Sequence, residues 1–446
     1  MTPAIQWTIP PSVLHWLETV PKGVPVALLL RHSVRGDLPA DSPGDDVPLT
    51  EDGVRIAREL GATLGPRLRT LRASPVLRCG QTAEAIREGA RSELPIESDR
   101  MLGAPGAFVI EGRVAWQTWR TLGHERMVTH LAIGDHALPG MAHPDWAARF
   151  LVQHLMAACA EEPGVHVFVT HDALVGPTAE RLLGVPLGPK PWPWFLEGAF
   201  FWREGGAVHA AYREHRRASR PGPLCGLEPS DVVEFARREI AATVGLDFPG
   251  RFFLAGGAFR TLLTGNPPRD LDFWAPSESD RSRLIEVLRD RGAEQRTKGE
   301  FADTFAYRGR IIDVPIKVEP STLEGRLGRF DLALSAVGVE HLGGDRWLSV
   351  IHPLARESVE RREVLFLKPL VNWRRALDTL ERARAYAADL GYRVPAEEEA
   401  EVWRVFGAQE REMRQGMIDR LRRKRDTGGA VLDEARRRLH DSVRPR

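Results

Sequence analysis

Cysteine is scarce in this chain: Cys79, Cys159 and Cys225 are the only three among 446 residues. They lie far apart, form no CxxC pair and meet no histidine cluster at zinc spacing, which excludes a disulfide scaffold and argues against a structural zinc site. Charge of one sign is lacking too. Lys plus Arg number 62 against 61 Asp plus Glu, for a formal net charge of +1. No global field for a polyanion follows, so any nucleic-acid contact must come from a local patch. The opening MTPAIQWTIPPSVLHWLETVPKG has no basic region followed by an apolar stretch and a small-residue cleavage site. The most apolar early run, Val24 to Leu30, ends at Arg31 and has the length of a strand, not of a membrane span. The expectation is a reduced, cytoplasmic protein that does not enter a membrane.

What is present is an ordinary globular balance, 43% hydrophobic and 28% charged residues, in a chain long enough for two or three units with full cores. Residues 213–230, REHRRASRPGPLCGLEPS, have linker chemistry: basic residues, then a Pro/Gly cluster, and no apolar period. A weaker boundary falls near 353–362. The expected organisation is a first domain over 1–218, a linker over 219–230, a second domain over 231–360, and a helical region with a basic tail over 361–446.

In the first half, VPVALLLRH (24–32) and GVHVFVTH (164–171) are short continuous apolar runs, the pattern of strands covered on both faces. Segments 49–68, 81–90 and 173–184 carry helical spacing, with Thr50 as an N-cap, and 71–75 reads as a strand end. Strands alternating with helices predict an α/β layered domain with a mostly parallel sheet, where ligands bind beyond the carboxyl ends of the strands. His32 and His171 both fall there. LLLRHSVRG brings Arg31, His32 and Arg35 together, SPVLRCGQTAE adds Arg78, and VTHDALV adds His171 and Asp172. A neutral imidazole is a competent nucleophile toward phosphorus, and several guanidinium forks suit phosphoryl oxygens. His124, His130, His136 and His143 lack the spacing of a metal-binding helix face and read as loop or surface residues.

The order RHxxR, SPxxRxxQTAE and THD resembles the histidine phosphatase superfamily, phosphoglycerate mutase-like, over about 22–212. The resemblance implies a three-layer sheet domain and a metal-free phosphomonoesterase. His32 would be phosphorylated transiently, with Arg31, Arg35, Arg78 and His171 as its phosphate pocket. Two departures stand out: Ser33 follows the nucleophile where glycine is usual, and RMLGAPGAFVIEG (100–112) lacks the family's carboxylate after a leucine. Asp172 resembles the His-Asp acid of another branch and is preferred here to Glu111 as general acid.

In the second half, RFFLAGGAFRTLLTGNPPRDLDFW (251–274) reads as strand, Gly-Gly turn, helix and a second strand carrying Asp270 and Asp272. Period 2 places those carboxylates on one face, and paired acids facing one way are costly unless a cation lies between them. Asp313, in the strand RIIDVPIKV (310–318), completes a set of three suited to two Mg²⁺ and in-line nucleotidyl transfer. Gly256 and Gly257 let backbone N–H groups approach a triphosphate. These residues resemble the α+β head domain and helical neck of the poly(A) polymerase and CCA-adding nucleotidyltransferase superfamily over about 250–395. The resemblance implies nucleotide contacts from Gly256, Gly257, Arg260, Arg329, Asp331 and Arg382. Here Ser335 stands for the usual Asn and Ala385 for a second arginine, and no nucleotide-selecting Asp-Arg pair is recognisable. With about fifty residues after the neck, a full CCA-adding role is not expected.

Residues 411–446 carry twelve Arg/Lys against six Asp/Glu, including RLRRKR (420–425) and RRR (436–438). They read either as a solvated helical face with i,i+4 ion pairs or as a phosphate-backbone track. The joint expectation is a bifunctional RNA 3′-end enzyme, its partners an NTP (ATP or CTP) and an RNA end such as that of a tRNA. It would remove a 3′-phosphate and then extend the exposed hydroxyl. The alternatives are the same chemistries on small phosphorylated metabolites, or a phosphatase carrying a non-catalytic nucleotide- or RNA-binding module.

Overall fold

The computed structural model describes residues 7–39, 42, 44–103, 105–159, 161–185, 192–423 and 429–441. The chain divides into two compact units between Cys225 and Gly226.

The first unit holds strands β1 (Pro25–Arg31), β2 (Leu68–Ala73), β3 (Ile96–Ser98), β4 (Gly164–Thr170), β5 (Gly198–Glu204), β6 (Ala207–Tyr212) and β7 (His215–Ala218). They form one sheet in the order β3-β2-β4-β1-β5-β6-β7. The apolar runs of β1 and β4 are its parallel centre, with Arg31 opposite Thr170. Alternation explains why both runs are apolar throughout. Val26, Leu28, Leu30, Val165, Val167 and Val169 pack with residues of helices Pro11–Thr19, Glu51–Leu64 and Leu77–Gly89. Ala27, Leu29 and Phe168 alternate with them and are equally buried, with helices Pro144–Ala158 and Asp172–Leu183 packed beside the sheet. Three layers result. Thr50 caps its helix, its hydroxyl accepting from Gly53 N at 3.0 Å.

The expected mostly parallel sheet is only half so: β1–β5, β5–β6 and β6–β7 pair antiparallel. Two-residue connections cause the β5–β6 and β6–β7 pairings, since they allow no crossover helix. At Gly205–Gly206 both φ angles are positive, 59° and 78°, as a tight hairpin turn requires. Strand β7 also occupies 215–218, inside the stretch with linker composition, and Pro229 already opens the helix Pro229–Thr243.

The second unit is built on β8 (Phe253–Ala255), β9 (Leu271–Trp274), β10 (Glu294–Lys298), β11 (Ala302–Tyr307), β12 (Arg310–Pro315), β13 (Val337–His341) and β14 (Trp347–Ile351). Their order is β10-β11-β12-β9-β8-β13-β14. Within it β9 and β12 run parallel, with Asp272 opposite Asp313. Helices follow: Pro353–Arg361, Ala376–Leu390, Ala396–Gly407, Arg411–Arg423 and Ala430–Asp441. Gly391, left-handed at φ 64°, ends the helix Ala376–Leu390, expected from the sequence as a neck. Among the described residues no helix is long and apolar enough to cross a membrane.

Candidate active sites

In the first unit, neighbouring parallel strands deliver the two histidines together. β1 ends at Arg31–His32 and β4 at Thr170–His171, so the rings lie 5.6 Å apart between centroids. The helix Leu77–Gly89 starts four residues before the expected Gln81, which puts Arg78 in its first turn. Arg78 Nε donates to His32 Nε2 at 3.1 Å. A guanidinium can only donate, so Nε2 carries the lone pair. The ring proton is on Nδ1, donated to the Ser33 carbonyl at 2.8 Å. By the same logic His171 Nδ1 accepts from Arg78 Nη2 at 3.3 Å, and its Nε2–H is directed at Ser74 Oγ, 3.2 Å away.

Electrostatics hold both rings neutral. Burial, then the neighbouring His171 ring, with which it would share positive charge, and the Arg31 guanidinium, pushes the His32 pKa well below its ordinary value. Burial and Arg78 lower His171 to about 4. Burial would raise the Asp172 carboxyl, yet Arg31, 2.8 Å away, holds it below the usual carboxylate range. Three guanidiniums against one carboxylate leave a net double positive charge, the complement of a phosphate dianion. The Nε atoms of Arg31 and Arg35 are buried without a hydrogen-bond partner, the kind of donor an oxyanion would satisfy. Arg35 itself turns to its own loop, Nη1 donating to Gly36 O at 2.6 Å.

The Ser33 departure is absorbed locally. Its hydroxyl donates to Gly53 O at 2.7 Å and its N–H to Thr82 Oγ1 at 3.0 Å. Glu111 lies half-buried before the helix Gly112–Leu122. The Cys79 thiol touches the site, its Sγ 3.7 Å from His171 Nε2, but burial raises its pKa to about 12 and keeps it protonated. His130 and His143 bond to backbone carbonyls and His136 to Asp135, while the His124 ring packs between Trp119 and Trp192. Ser74 sits in the SPxxR motif but was not foreseen as the partner of His171. Nor was Phe195, whose ring lies 4.1 Å under the Arg31 guanidinium.

In the second unit, Gly256 (φ 119°) and Gly257 turn the chain after β8. A Cβ on Gly256 would lie 2.9 Å from Asp272 Oδ2, and one on Gly257 2.6 Å from the Tyr386 hydroxyl. The close approach thus requires glycine. Burial, then the charges of Asp270 and Asp313, raises Asp272 to about 7. Asp313 accepts from Thr304 Oγ1 at 2.6 Å, and Asp270 pairs with Arg269 at 2.7 Å. Strand β9 begins at Leu271, so Asp270 stands just before it. Asp270 and Asp272 are partly exposed while Leu271 and Phe273 are buried, in keeping with one shared face.

Arg260 lies over the Tyr386 ring at 3.6 Å and bonds Asp389 at 3.1 Å, while its Nε is buried without a partner. Asp331 is buried and engaged by Thr379 (2.8 Å), Asn372 (3.3 Å) and Arg382 (3.6 Å), so it anchors the neck helix and holds Arg382. Arg329 is exposed, and its carbonyl accepts from Asn372. Ser335 meets the Tyr386 hydroxyl at 3.2 Å. Tyr386 was missed, although its place four residues after Arg382 on one helix face was a usable signal. No group of three His, Cys, Asp or Glu side chains among the described residues stands close enough to hold an ion as it is. In the tail, Arg436, Arg437 and Arg438 pair with Asp433 and Glu434, as a solvated helical face does. Lys424 and Arg425 lie outside the described residues.

Residues 28–194 match the model of the histidine phosphatase superfamily (branch 1). No curated protein matches the chain. Among solved structures it is similar to a tRNA-processing enzyme in apo form I at 18% identity, covering 49% of this chain and 59% of that one, with a TM-score of 0.35. It is also similar to the Thermotoga maritima CCA-adding enzyme complexed with tRNA at 17% identity, 47% of each chain and a TM-score of 0.32. A CCA-adding enzyme with CTP matches at 18%, 48% of each chain and 0.32. The chain thus spans 47–59% of the length of these structures.

Proposed function

We propose that this chain, whose residues 28–194 form a histidine phosphatase domain, heals and extends RNA 3′ ends. The first unit would remove a terminal phosphate and the second would add nucleotides from ATP or CTP to the exposed hydroxyl. The observation that carries the reading is the neutral His32, its Nε2 lone pair facing Arg78. That nitrogen attacks phosphorus, the P–O bond to the ribose breaks, and the leaving oxygen takes a proton. Water then attacks the phosphohistidine, releasing phosphate and freeing His32. Arg31, Arg35 and Arg78 balance the charge on the transferring group.

Asp172 is our choice for the proton donor. It is ionised while bound to Arg31, so it acquires a proton only when the substrate phosphate draws Arg31 away. Asp172→Asn should lower kcat/KM on alkyl phosphates by about 10²-fold or more, and on p-nitrophenyl phosphate much less, because that leaving group needs little protonation. Glu111→Gln should spare both substrates. The opposite ranking would transfer the role to Glu111.

Three oxygen-donor carboxylates, one of them raised to about 7 by burial and then by the charges of the other two, suit a hard divalent cation. Asp272 and Asp313 already lie in register, whereas Asp270 would have to leave Arg269. These three would hold Mg²⁺, which supplies Lewis-acid charge for phosphoryl chemistry. The Gly256–Gly257 turn would admit the triphosphate beside Asp272, with the free Nε–H of Arg260 and the Arg382 guanidinium as its cations. The test uses one 5′-labelled RNA ending in 3′-phosphate or 3′-hydroxyl, with Mg²⁺ and single NTPs, read on a sequencing gel. Wild-type protein should lengthen both. If it neither dephosphorylates the first nor extends the second, the reading falls.

A further inference from the structure

The sheet that bears the three carboxylates also carries, at the β10–β11 turn, an exposed aromatic ring that the catalytic residues do not use. Phe301, between β10 and β11, is 56% exposed, although its backbone is firmly held. Its carbonyl accepts from Ile316 N at 2.9 Å, and the turn that contains it is closed by Gly299 N donating to Ala302 O at 3.0 Å. The Arg375 guanidinium lies 4.4 Å from the centroid of the Phe301 ring. Arg374 stands 4.8 Å from the Trp373 ring in the same turn. Lys317 follows Ile316, which is itself 37% exposed. In the loop Glu300 alone opposes this positive set.

The loop that carries Phe301 runs into β11, the strand beside Asp313. Thr304, three residues after Phe301 on β11, is paired with Asp313 and bonds its carboxylate. Three strand residues span about 10 Å, the length of about three nucleotides of a stacked strand at roughly 3.4 Å each. An exposed ring, a guanidinium stacked on it and flanking cations form the pattern that receives single-stranded nucleic acid, because every base has a π-face and every linkage a negative charge. We infer that Phe301 and Arg375 form a stacking platform for a base within the last three nucleotides of the acceptor strand, holding its 3′-hydroxyl toward Asp313. The inference rests on the nucleotidyl-transfer reading above and adds the residues that would hold the RNA end.

The test combines 3′-hydroxyl oligonucleotide binding by fluorescence anisotropy with extension kinetics. Phe301→Ala should raise both Kd and the KM for RNA about tenfold, equivalent to roughly 1.4 kcal/mol, and leave the KM for NTP near wild type. Phe301→Trp should restore RNA affinity, which a merely structural role would not permit. Arg375→Ala should reduce the slope of log affinity against log salt by about 0.7, as the loss of one contact to single-stranded phosphate requires. If wild type extends RNA and Phe301→Ala does so with unchanged KM, the platform is wrong and the enzymatic reading survives. If Phe301→Ala alters the oligomeric state and not RNA affinity, the surface is a protein interface and the inference is overturned. If wild type transfers nucleotides to no acceptor, the enzymatic reading fails first, and equal oligonucleotide affinity of wild type and Phe301→Ala then removes the platform too.

Discussion

With His32 replaced by alanine, an RNA ending in a 3′-phosphate stays at its original length in every NTP, while the same RNA ending in a 3′-hydroxyl grows as it does with wild type. Phosphate release falls on the order of 10⁴-fold or more, because the remaining arginines still bind the dianion but no nucleophile faces it. Wild-type protein quenched during turnover carries acid-labile phosphate on a histidine, and the His32→Ala protein carries none. The asymmetry between the two RNAs matters more than the loss itself. Both sites are encoded in one chain, yet a 3′-phosphate cannot attack an NTP, so the first reaction must precede the second only for the blocked end. Release of phosphate by His32→Ala at the wild-type rate would remove His32 from the reaction.

The same pocket sets a pH dependence whose sign follows from burial. A histidine with the ordinary value of 6.5 would be half protonated, and so half inactive as a nucleophile, at that pH. His32 is pushed well below it, so kcat/KM, once corrected for the substrate phosphate's own second ionisation at about pH 6, should stay level from pH 8 through pH 6. Stability carries the reverse cost. The unfolded chain takes up protons on His32 and His171 below about pH 6.5, whereas folded His171 resists until about 4. The unfolded state therefore binds more protons between those values, and stability declines as pH falls through that window. His171→Gln should flatten part of the decline in urea titrations. A corrected kcat/KM that still drops with an apparent pKa near 6.5 would mean that His32 is not shielded as its surroundings imply.

How much of this was legible depends on whether the partners are close in sequence or only in space. The apolar runs of β1 and β4, the Thr50 cap and the order of the Arg-His, Arg78 and His-Asp segments are local patterns, and local pattern was enough to place them. The Asp270–Asp272 alternation and the Gly-Gly turn were legible for the same reason. The meander β5–β7 was not, because short apolar strands read alike whichever direction they pair, and only the Gly205–Gly206 turn distinguishes them. Ser74 with His171, Thr304 with Asp313 and Tyr386 with Ser335 are pairs created by packing, the first across 97 residues of chain. No spacing rule reaches that far. Asp172 shows a further limit. Sequence marked it as an acid, whereas the register of β1 beside β4 brings Arg31 to its carboxylate and keeps it ionised until a substrate intervenes.

Replacing Asp272 by asparagine should separate the two units' chemistries from the other side. Extension of the 3′-hydroxyl RNA falls at least about 10³-fold, the scale of losing a group that stabilises charge in the transition state. Phosphate release from the 3′-phosphate RNA continues, so the blocked end is opened but not lengthened. Asparagine keeps the shape of the side chain and removes its charge, which makes the variant a test of cation binding as well as of catalysis. Asp272 lies under the charges of Asp270 and Asp313 with the Gly256 backbone close against it, so the folded unit carries repulsion that a divalent cation would relieve. Thermal unfolding at pH 8 after EDTA treatment should therefore show wild type gaining stability on addition of Mg²⁺, as a ligand bound only by the folded state produces. Asp272→Asn should unfold no lower than wild type without the cation and gain little from it. Asp313→Asn should behave alike, since its carboxylate faces Asp272 across the β9–β12 pairing. Asp270→Asn should lose extension while also releasing Arg269. Suppose instead that Asp272→Asn extends RNA normally and Mg²⁺ leaves the unfolding of wild type unchanged. The three aspartates would then be a strained structural cluster, and nucleotidyl transfer would have to leave this face of the sheet.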